Sequence, residues 1–351
     1  MDIQLNSKIK IGLNHYPYII AEIGSNHNGN FELCKKMIDA AKNSGANCVK
    51  FQTFSANSLF SKKVYEDNYF IADDYRNRKD FNLKEIVEKY SIKKEDIIKV
   101  KKYCENINID FAATPFSYDE ADFLDDTLNV DFFKIASMDC NNYEFIEYVS
   151  KKNKPTILST GLSHDFEIDK AVKAFEKTGN KKLIIMHCVA IYPPEDKQVN
   201  LNKILTFKKL YPYPIGFSDH SLGIDMPIAS IALGARVIEK HFTVDKKLEG
   251  WDHHMSVDEN EMKKIVNGCK RVFDGIGSEK IVRIENQDRV DSFRRSVVAK
   301  QKILKGVTIV RSMLEVKRPG TGLYPEKIKD IIGKKALRDI DEDEILKEED
   351  F

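Results

Sequence analysis

Two histidines stand at the ends of neighbouring strand-like runs, His220 in IGFSDHSLG and His241 in VIEKHFT. Adjacent parallel strands lie about 4.8 Å apart, so two inward imidazoles at matching heights can grip one divalent metal. Two are too few for a closed structural site, which takes four protein ligands. The deficit fits an open site whose shell is finished by water and substrate oxygens. Nitrogen-and-oxygen surroundings suit manganese (Mn2+) or magnesium (Mg2+), with cobalt (Co2+) or zinc as substitutes. Glu239 shares a strand face with His241 and is expected to hold a metal-bound water.

The same alternation collects more polar groups on inward faces: Glu22 with Gly24, Lys50 with Gln52, Thr114, Lys134 with Ser137 just beyond it, Ser159, and Ser218 in phase with His220. Isolated buried charges are costly, so these side chains must either pair with one another or bind a ligand. Lys50 and Lys134 with Thr114, Ser137, Ser159 and Ser218 suit a small polyanion carrying phosphate and carboxylate. Of the remaining histidines, His27 in SNHNG belongs to a loop after the first strand. His187 has the parity opposite to Cys188 and Ala190 and is expected to pack. His253 and His254 follow Trp251 and Asp252 in a loop after the last strand, within reach of a substrate.

Such groups need a frame that brings distant segments together. Strand-like runs at 18–24, 48–54, 110–116, 132–137, 155–161, 183–190, 213–219 and 237–243 alternate with stretches of helical periodicity at 31–45, 84–106, 119–127, 165–178, 200–210, 224–234 and 258–274. Near-continuous apolar strands between helices imply a parallel sheet buried on both faces. The count of eight favours closure into an α/β fold of the (β/α)8 TIM-barrel type, with functional groups at the C-terminal strand ends. A long connection rich in Tyr, Asp and Asn, 55–83, has the length of a lid or partner surface. The expected domains are a barrel over 1–275, a charged linker over 276–290, and a small β-rich domain over 291–351.

The charge balance narrows the partners. Lys and Arg total 56 against 55 acidic residues, which leaves no net basic field for nucleic acid or an anionic membrane. No apolar run reaches the roughly 18 residues that span a bilayer, and the first residues lack a signal-peptide core, so the expected location is cytoplasmic. Six scattered cysteines without a CxxC pair read as buried thiols.

The stretches IAEIGSNHNG, GANCVKFQTF, FAATPFS, FKIAS, ILSTGLS, HCVAIYPP, GFSDHSLG, VIEKHFT, WDHHMS and KRPGTGL occur in order across almost the whole chain. In them the sequence resembles the sialic acid synthase family, the phosphoenolpyruvate-dependent makers of nine-carbon sugar acids. That resemblance implies a TIM barrel followed by an antifreeze-like SAF domain, and a homodimer in which each tail covers the partner's barrel. It implies that phosphoenolpyruvate (PEP) condenses with an open-chain N-acylated amino sugar and water, with loss of phosphate. Carried onto matching positions, it makes His220 and His241 the metal ligands and Lys50, Thr114, Lys134, Ser137, Ser159 and Ser218 the PEP site. Glu22 becomes the proton handler; Gln52, Tyr192, Asp252, Phe293 and Arg318 would face the sugar.

Two positions depart from the family pattern. Where members using N-acetylmannosamine commonly read HCTN, this chain has His187-Cys188-Val189-Ala190, a methyl in place of an amide. The residue before the loop aspartate, typically proline or another small residue, is Trp251. Both favour a less polar, 6-deoxy diacetamido acceptor of the legionaminic or pseudaminic type as an alternative. A PEP-dependent aldose-phosphate synthase would need a second phosphate site beyond the two lysines and Arg318. A non-catalytic carbohydrate- or ice-binding protein would leave the polar barrel mouth unexplained.

Overall fold

The computed structural model describes residues 1–67 and 82–351. Its chain divides into two compact units, Met1–Gly277 and Ser278–Phe351. In the first, eight strands form one parallel sheet: β1 (Tyr18–Gly24), β2 (Cys48–Gln52), β3 (Asp110–Thr114), β4 (Phe133–Ile135), β5 (Thr156–Ser159), β6 (Leu183–Cys188), β7 (Ile215–Asp219) and β8 (Ala235–His241). The hydrogen-bonded order is β3-β2-β1-β8-β7-β6-β5-β4. β3 and β4, at the two ends of that ladder, adjoin each other, so the sheet closes into the expected barrel.

Period-two alternation sorts each strand into two packing layers. Outward residues such as Ile19, Ala21, Val49, Phe51, Ile185, Phe217 and Ile238 join the surrounding helices in one large apolar cluster. Inward residues Tyr18, Ile20, Cys48, Ala112, Phe132, Ile157, Ile184, Met186 and Val237 fill the barrel's lower half, together with Ile3, Leu5 and Ile11. Those last three come from a short antiparallel hairpin, Ile3–Gln4 with Lys10–Ile11, which the sequence reading did not contain. Apolar side chains therefore stopper the N-terminal end. The polar inward residues are left for the C-terminal end.

The helix Phe31–Ser44 begins at Asn30, whose side chain accepts from Leu33 N, and stops at Gly45, whose φ of 87° supplies the expected left-handed cap. The single helix expected over 84–106 is two helices, Leu83–Tyr90 and Lys94–Ile107. Ser91 is extended there, and Glu95 and Asp96 open a new first turn, where negative charge meets the helix dipole. The expected 119–127 helix is an α-turn, Tyr118–Asp122, running into a π-turn, Phe123–Thr127. A helix at Tyr143–Lys151, capped by Asn142, was not anticipated. Of the long connection, Ala56–Leu59 and Lys62–Glu66 are short helices; 68–81 lies outside the described residues.

His187 packs, as its parity indicated. It stacks on Phe217 at 5.4 Å and its Nε2–H donates to Val199 O at 2.7 Å. Burial pushes its pKa down to about 4 from 6.5. In the unfolded chain this imidazole takes up a proton near pH 6.5; in the fold it resists until about pH 4. Its contribution is thus intact above 6.5 and declines as the pH falls towards 4, by about 2–3 kcal/mol at pH 4.5. Urea unfolding at pH 7.5 and 4.5 should show a smaller acid loss for His187→Phe than for wild type, and equal losses would refute the assignment.

All six cysteines are free and buried. No described helix is long and apolar enough to cross a membrane. In the second unit, β9 (Ser296–Ala299) pairs antiparallel with β10 (Leu314–Lys317). Around this small sheet, isolated bridges and short helical turns enclose a core that includes Val297, Ile303, Ile309, Leu314, Ile331, Ile340 and Leu346.

Candidate active site

Register brings the polar residues together. Glu22 on β1 lies beside Lys50 on β2 and His241 on β8, Gln52 lies beside Thr114, and Glu239 lies beside Ser218. Lys50 Nζ is 2.8 Å from Glu22 Oε2 and 3.7 Å from Glu239 Oε1, and it donates to Thr114 Oγ1 at 3.0 Å. Lys134 Nζ donates to Ser159 Oγ at 2.7 Å and lies 3.6 Å from Glu239 Oε1, which also accepts from Ser218 Oγ at 3.2 Å. The two lysines and two glutamates form a neutral set, all nearly inaccessible to solvent. Glu239 sits between the lysines, with both ammonium groups within 4 Å of its Oε1, while its Oε2 is buried without a partner.

The electrostatics separate the two acids. Burial raises the pKa of Glu22, and the charge of Glu239 adds to that, outweighing Lys50 and the Gln52 amide, which donates to Oε1 at 2.8 Å. Burial also acts to raise Glu239, but Lys134 and Lys50 overcome it and hold its carboxylate below the ordinary value. For the lysines burial opposes charge. Glu22 and Glu239 more than compensate at Lys50, which is raised, whereas Lys134 is lowered. Glu22 is therefore the carboxyl best placed to carry a proton, and Glu239 the fixed anion.

The two imidazoles face each other, ring centroids 5.3 Å apart, with Tyr192 against His220 at 4.1 Å. His220 Nδ1–H donates to Val189 O at 2.8 Å, which leaves the lone pair on Nε2. His241 Nδ1 is buried with no hydrogen-bond partner, 3.6 Å from Asp252 Oδ2. Burial and the charge of His220 hold His241 well below the ordinary imidazole value, so it is neutral and able to ligate. Among the described residues no three His, Cys, Asp or Glu side chains converge closely enough to hold a metal by themselves. Burial lowers the pKa of His220, but Cys188 and the Val189 carbonyl overcome it and raise that pKa, so a metal ion there would displace a proton; with both rings neutral, two nitrogen lone pairs and a neighbouring carboxylate fit an open divalent site.

Above this floor opens a cavity of about 540 Å3, lined by the lysine–glutamate set, both histidines, Gln52, Ser137, Tyr192 and Asp252. Ser137 Oγ accepts from Gly161 N at 3.0 Å. A Cβ on Gly161 would stand 2.8 Å from that oxygen, so the tight approach requires glycine here.

Residues 37–281 match the NeuB family and residues 294–351 match the SAF domain. The chain belongs to the NeuB family. Its sequence is 40% identical to an uncharacterized protein of Methanocaldococcus jannaschii, over 97% of both chains. It is 34% identical to an N,N'-diacetyllegionaminic acid synthase of Campylobacter jejuni, over 94% of this chain and 98% of the other. Among solved structures, the N-acetylneuraminic acid synthetase of Leptospira borgpetersenii matches with a TM-score of 0.74 and 34% identity, covering 82% of this chain and 94% of that one.

In this NeuB chain, twelve of the fourteen residues given roles by the family resemblance line this cavity. The other two, Phe293 and Arg318, belong to the SAF unit, where the Arg318 guanidinium lies over the Phe293 ring at 4.8 Å. Pairing of the two lysines with Glu22 and Glu239, one of the two possibilities the sequence left open, is present in the structure. Sequence reasoning missed an apolar wall of Phe54, Leu59, Phe60, Leu83 and Phe116. The aromatic and aliphatic residues after β2 and β3 were a visible signal; the helix break that brings Leu83 to the mouth was not.

Proposed function

We propose that this chain condenses phosphoenolpyruvate with an open-chain N-acylated amino sugar and water, giving a nine-carbon sialic-acid-like sugar acid and phosphate. The observation that carries this reading is the pair of buried lysines, each tied to hydroxyl and carboxylate oxygens, on the floor of a cavity whose rim holds two facing imidazoles. Phosphate and carboxylate of PEP take the places of Glu oxygens around Lys50 and Lys134, with Thr114, Ser137, Ser159 and Ser218 donating to the remaining oxygens. C3 of PEP attacks the aldehyde carbon, whose oxygen takes up a proton to become a hydroxyl; water adds at the resulting C2 cation and loses a proton, and C–O cleavage then expels phosphate to leave the 2-keto acid. Glu22, with its raised pKa, holds or delivers the proton at the reacting carbons. His220 and His241 would hold a divalent ion, most simply Mn2+, which when bound polarises the aldehyde oxygen. Gln52, Tyr192 and Asp252 orient the sugar. Exchange of SAF tails in a homodimer, with Phe293 and Arg318 reaching the sugar, belongs to the same reading.

The test is phosphate release from PEP with manganese, run against N-acetylmannosamine, a 2,4-diacetamido-2,4,6-trideoxyhexose and a sugar phosphate. Release with an acylated free sugar is expected. Release with the sugar phosphate alone would move the chain to aldose-phosphate chemistry, and no release with any of them would sink the proposal.

A further inference from the structure

The cavity has two unlike zones. Its floor is charged and hydroxylated, whereas one wall of its mouth is built from Phe54 after β2, Leu59 and Phe60 in the following connection, Leu83, Phe116 after β3 and Trp251 after β8. These side chains belong to one apolar cluster distinct from the barrel core. The Trp251 ring lies 5.8 Å from Phe54 and 5.5 Å from Tyr90, and Phe54 meets Phe116 edge-on at 6.0 Å. Ala190 puts a methyl group elsewhere on the lining.

This wall is held in place. Asn28 Nδ2 donates to Glu249 O at 2.7 Å, and His253 Nδ1 pairs with Thr243 Oγ1 at 2.7 Å. Between them Gly250 passes so closely that a Cβ would stand 2.9 Å from both Asn28 Oδ1 and His253 Nε2. The backbone on either side of Trp251 is thus fixed to the rest of the barrel unit, and the indole is presented rather than left to drift.

A sugar whose hydroxyls faced such a wall would give up water without a replacement hydrogen bond, which is costly. One that turned methyl groups towards it would gain by burial. An acceptor with its aldehyde at the histidines and PEP on the lysines shares one cavity with this surface. We infer that Trp251 is the specificity-determining residue of an apolar subsite that takes the methyl-bearing face of the acceptor, selecting a 2,4-diacetamido-2,4,6-trideoxyhexose over N-acetylmannosamine. The inference rests on the synthase reading above and names the acceptor class for the same site.

The experiment compares wild type, Trp251→Ala and Trp251→Phe, each checked for folding by thermal unfolding. Two readouts are taken with the full chain and manganese: kcat/KM for phosphate release with each sugar, and binding of each sugar by ligand-observed NMR without PEP. Wild type should prefer the trideoxy sugar at least tenfold. Trp251→Ala should reduce that ratio roughly tenfold, the scale on which apolar contacts discriminate, with KM for PEP within twofold; Trp251→Phe should restore most of it. A wild-type preference for N-acetylmannosamine, or a ratio indifferent to Trp251→Ala in folded protein, overturns the inference. Absence of phosphate release with every sugar refutes the synthase reading instead, and the NMR binding ratio still decides the role of Trp251.

Discussion

Replacing Glu22 by Gln will leave phosphoenolpyruvate bound and slow turnover by about 10²–10⁴-fold. Glu22 is fully enclosed, with one oxygen 2.8 Å from Lys50 and the other accepting from Gln52 at 2.8 Å. Burial raises its pKa, which makes it able to give and retake a proton, whereas Glu239, held down by two lysines, is a poor proton carrier. Glutamine preserves the volume and the contact of a side-chain oxygen with Lys50, but it removes the titration and the negative charge and sets an NH2 where the oxygen accepting from Gln52 was. A positioned acid–base group contributes about 10²–10⁴-fold, so kcat should fall by that factor while the dissociation constant of PEP changes by no more than a few-fold. Steady-state phosphate release gives the first number and equilibrium titration with PEP the second. Full activity in Glu22→Gln would remove Glu22 from the chemistry; parallel loss of PEP binding would make it a structural partner of Lys50.

The lysine–glutamate set also shows what a linear reading can and cannot supply. Parity alone placed Glu22, Lys50, Lys134, Ser218 and His241 on inward faces, because a strand's side chains alternate with no free parameter. It could not say which carboxylate meets which lysine, since that depends on barrel stagger: Glu239 pairs with Ser218 across β7 and reaches both lysines across the lumen. Lys240 illustrates the complementary case. It has outward parity, yet it is wholly buried against Asp219 Oδ2 at 2.6 Å, a pairing set by the parallel register of β7 and β8 and not by either segment alone. Local signals did best where the chemistry is local, as at Asn30 and Gly45, and worst where tertiary packing chose the outcome, as at the break between Leu83–Tyr90 and Lys94–Ile107. The N-terminal hairpin was invisible for the same reason: two-residue strands carry no periodicity, and only the open end of the barrel gives Ile3, Leu5 and Ile11 something to cover.

The imidazole pair yields the second large effect. With only two protein nitrogens available and no third ligand among the described residues, each histidine would supply half of the protein's hold on a divalent ion. Replacing one of two ligands has no compensating partner, so His241→Ala should weaken manganese binding by at least about 100-fold, more than the 10–100-fold that outer-shell changes typically cost. Counting free Mn2+ by its EPR signal reads this directly, independent of turnover. Asp252, 3.6 Å from His241 Nδ1, would act on a bound ion through or beside that ring, so Asp252→Asn should cost less than His241→Ala in the same titration. His241 also neighbours Glu22 in the ladder, and a cavity left by its ring could disturb the proton carrier as well; His241→Gln, which keeps much of the volume, separates the two causes. If manganese affinity survives His220→Ala and His241→Ala alike, the ion is held elsewhere and the facing imidazoles bind the sugar instead, since two rings 5.3 Å apart at the lip of a polar cavity can also orient hydroxyl groups.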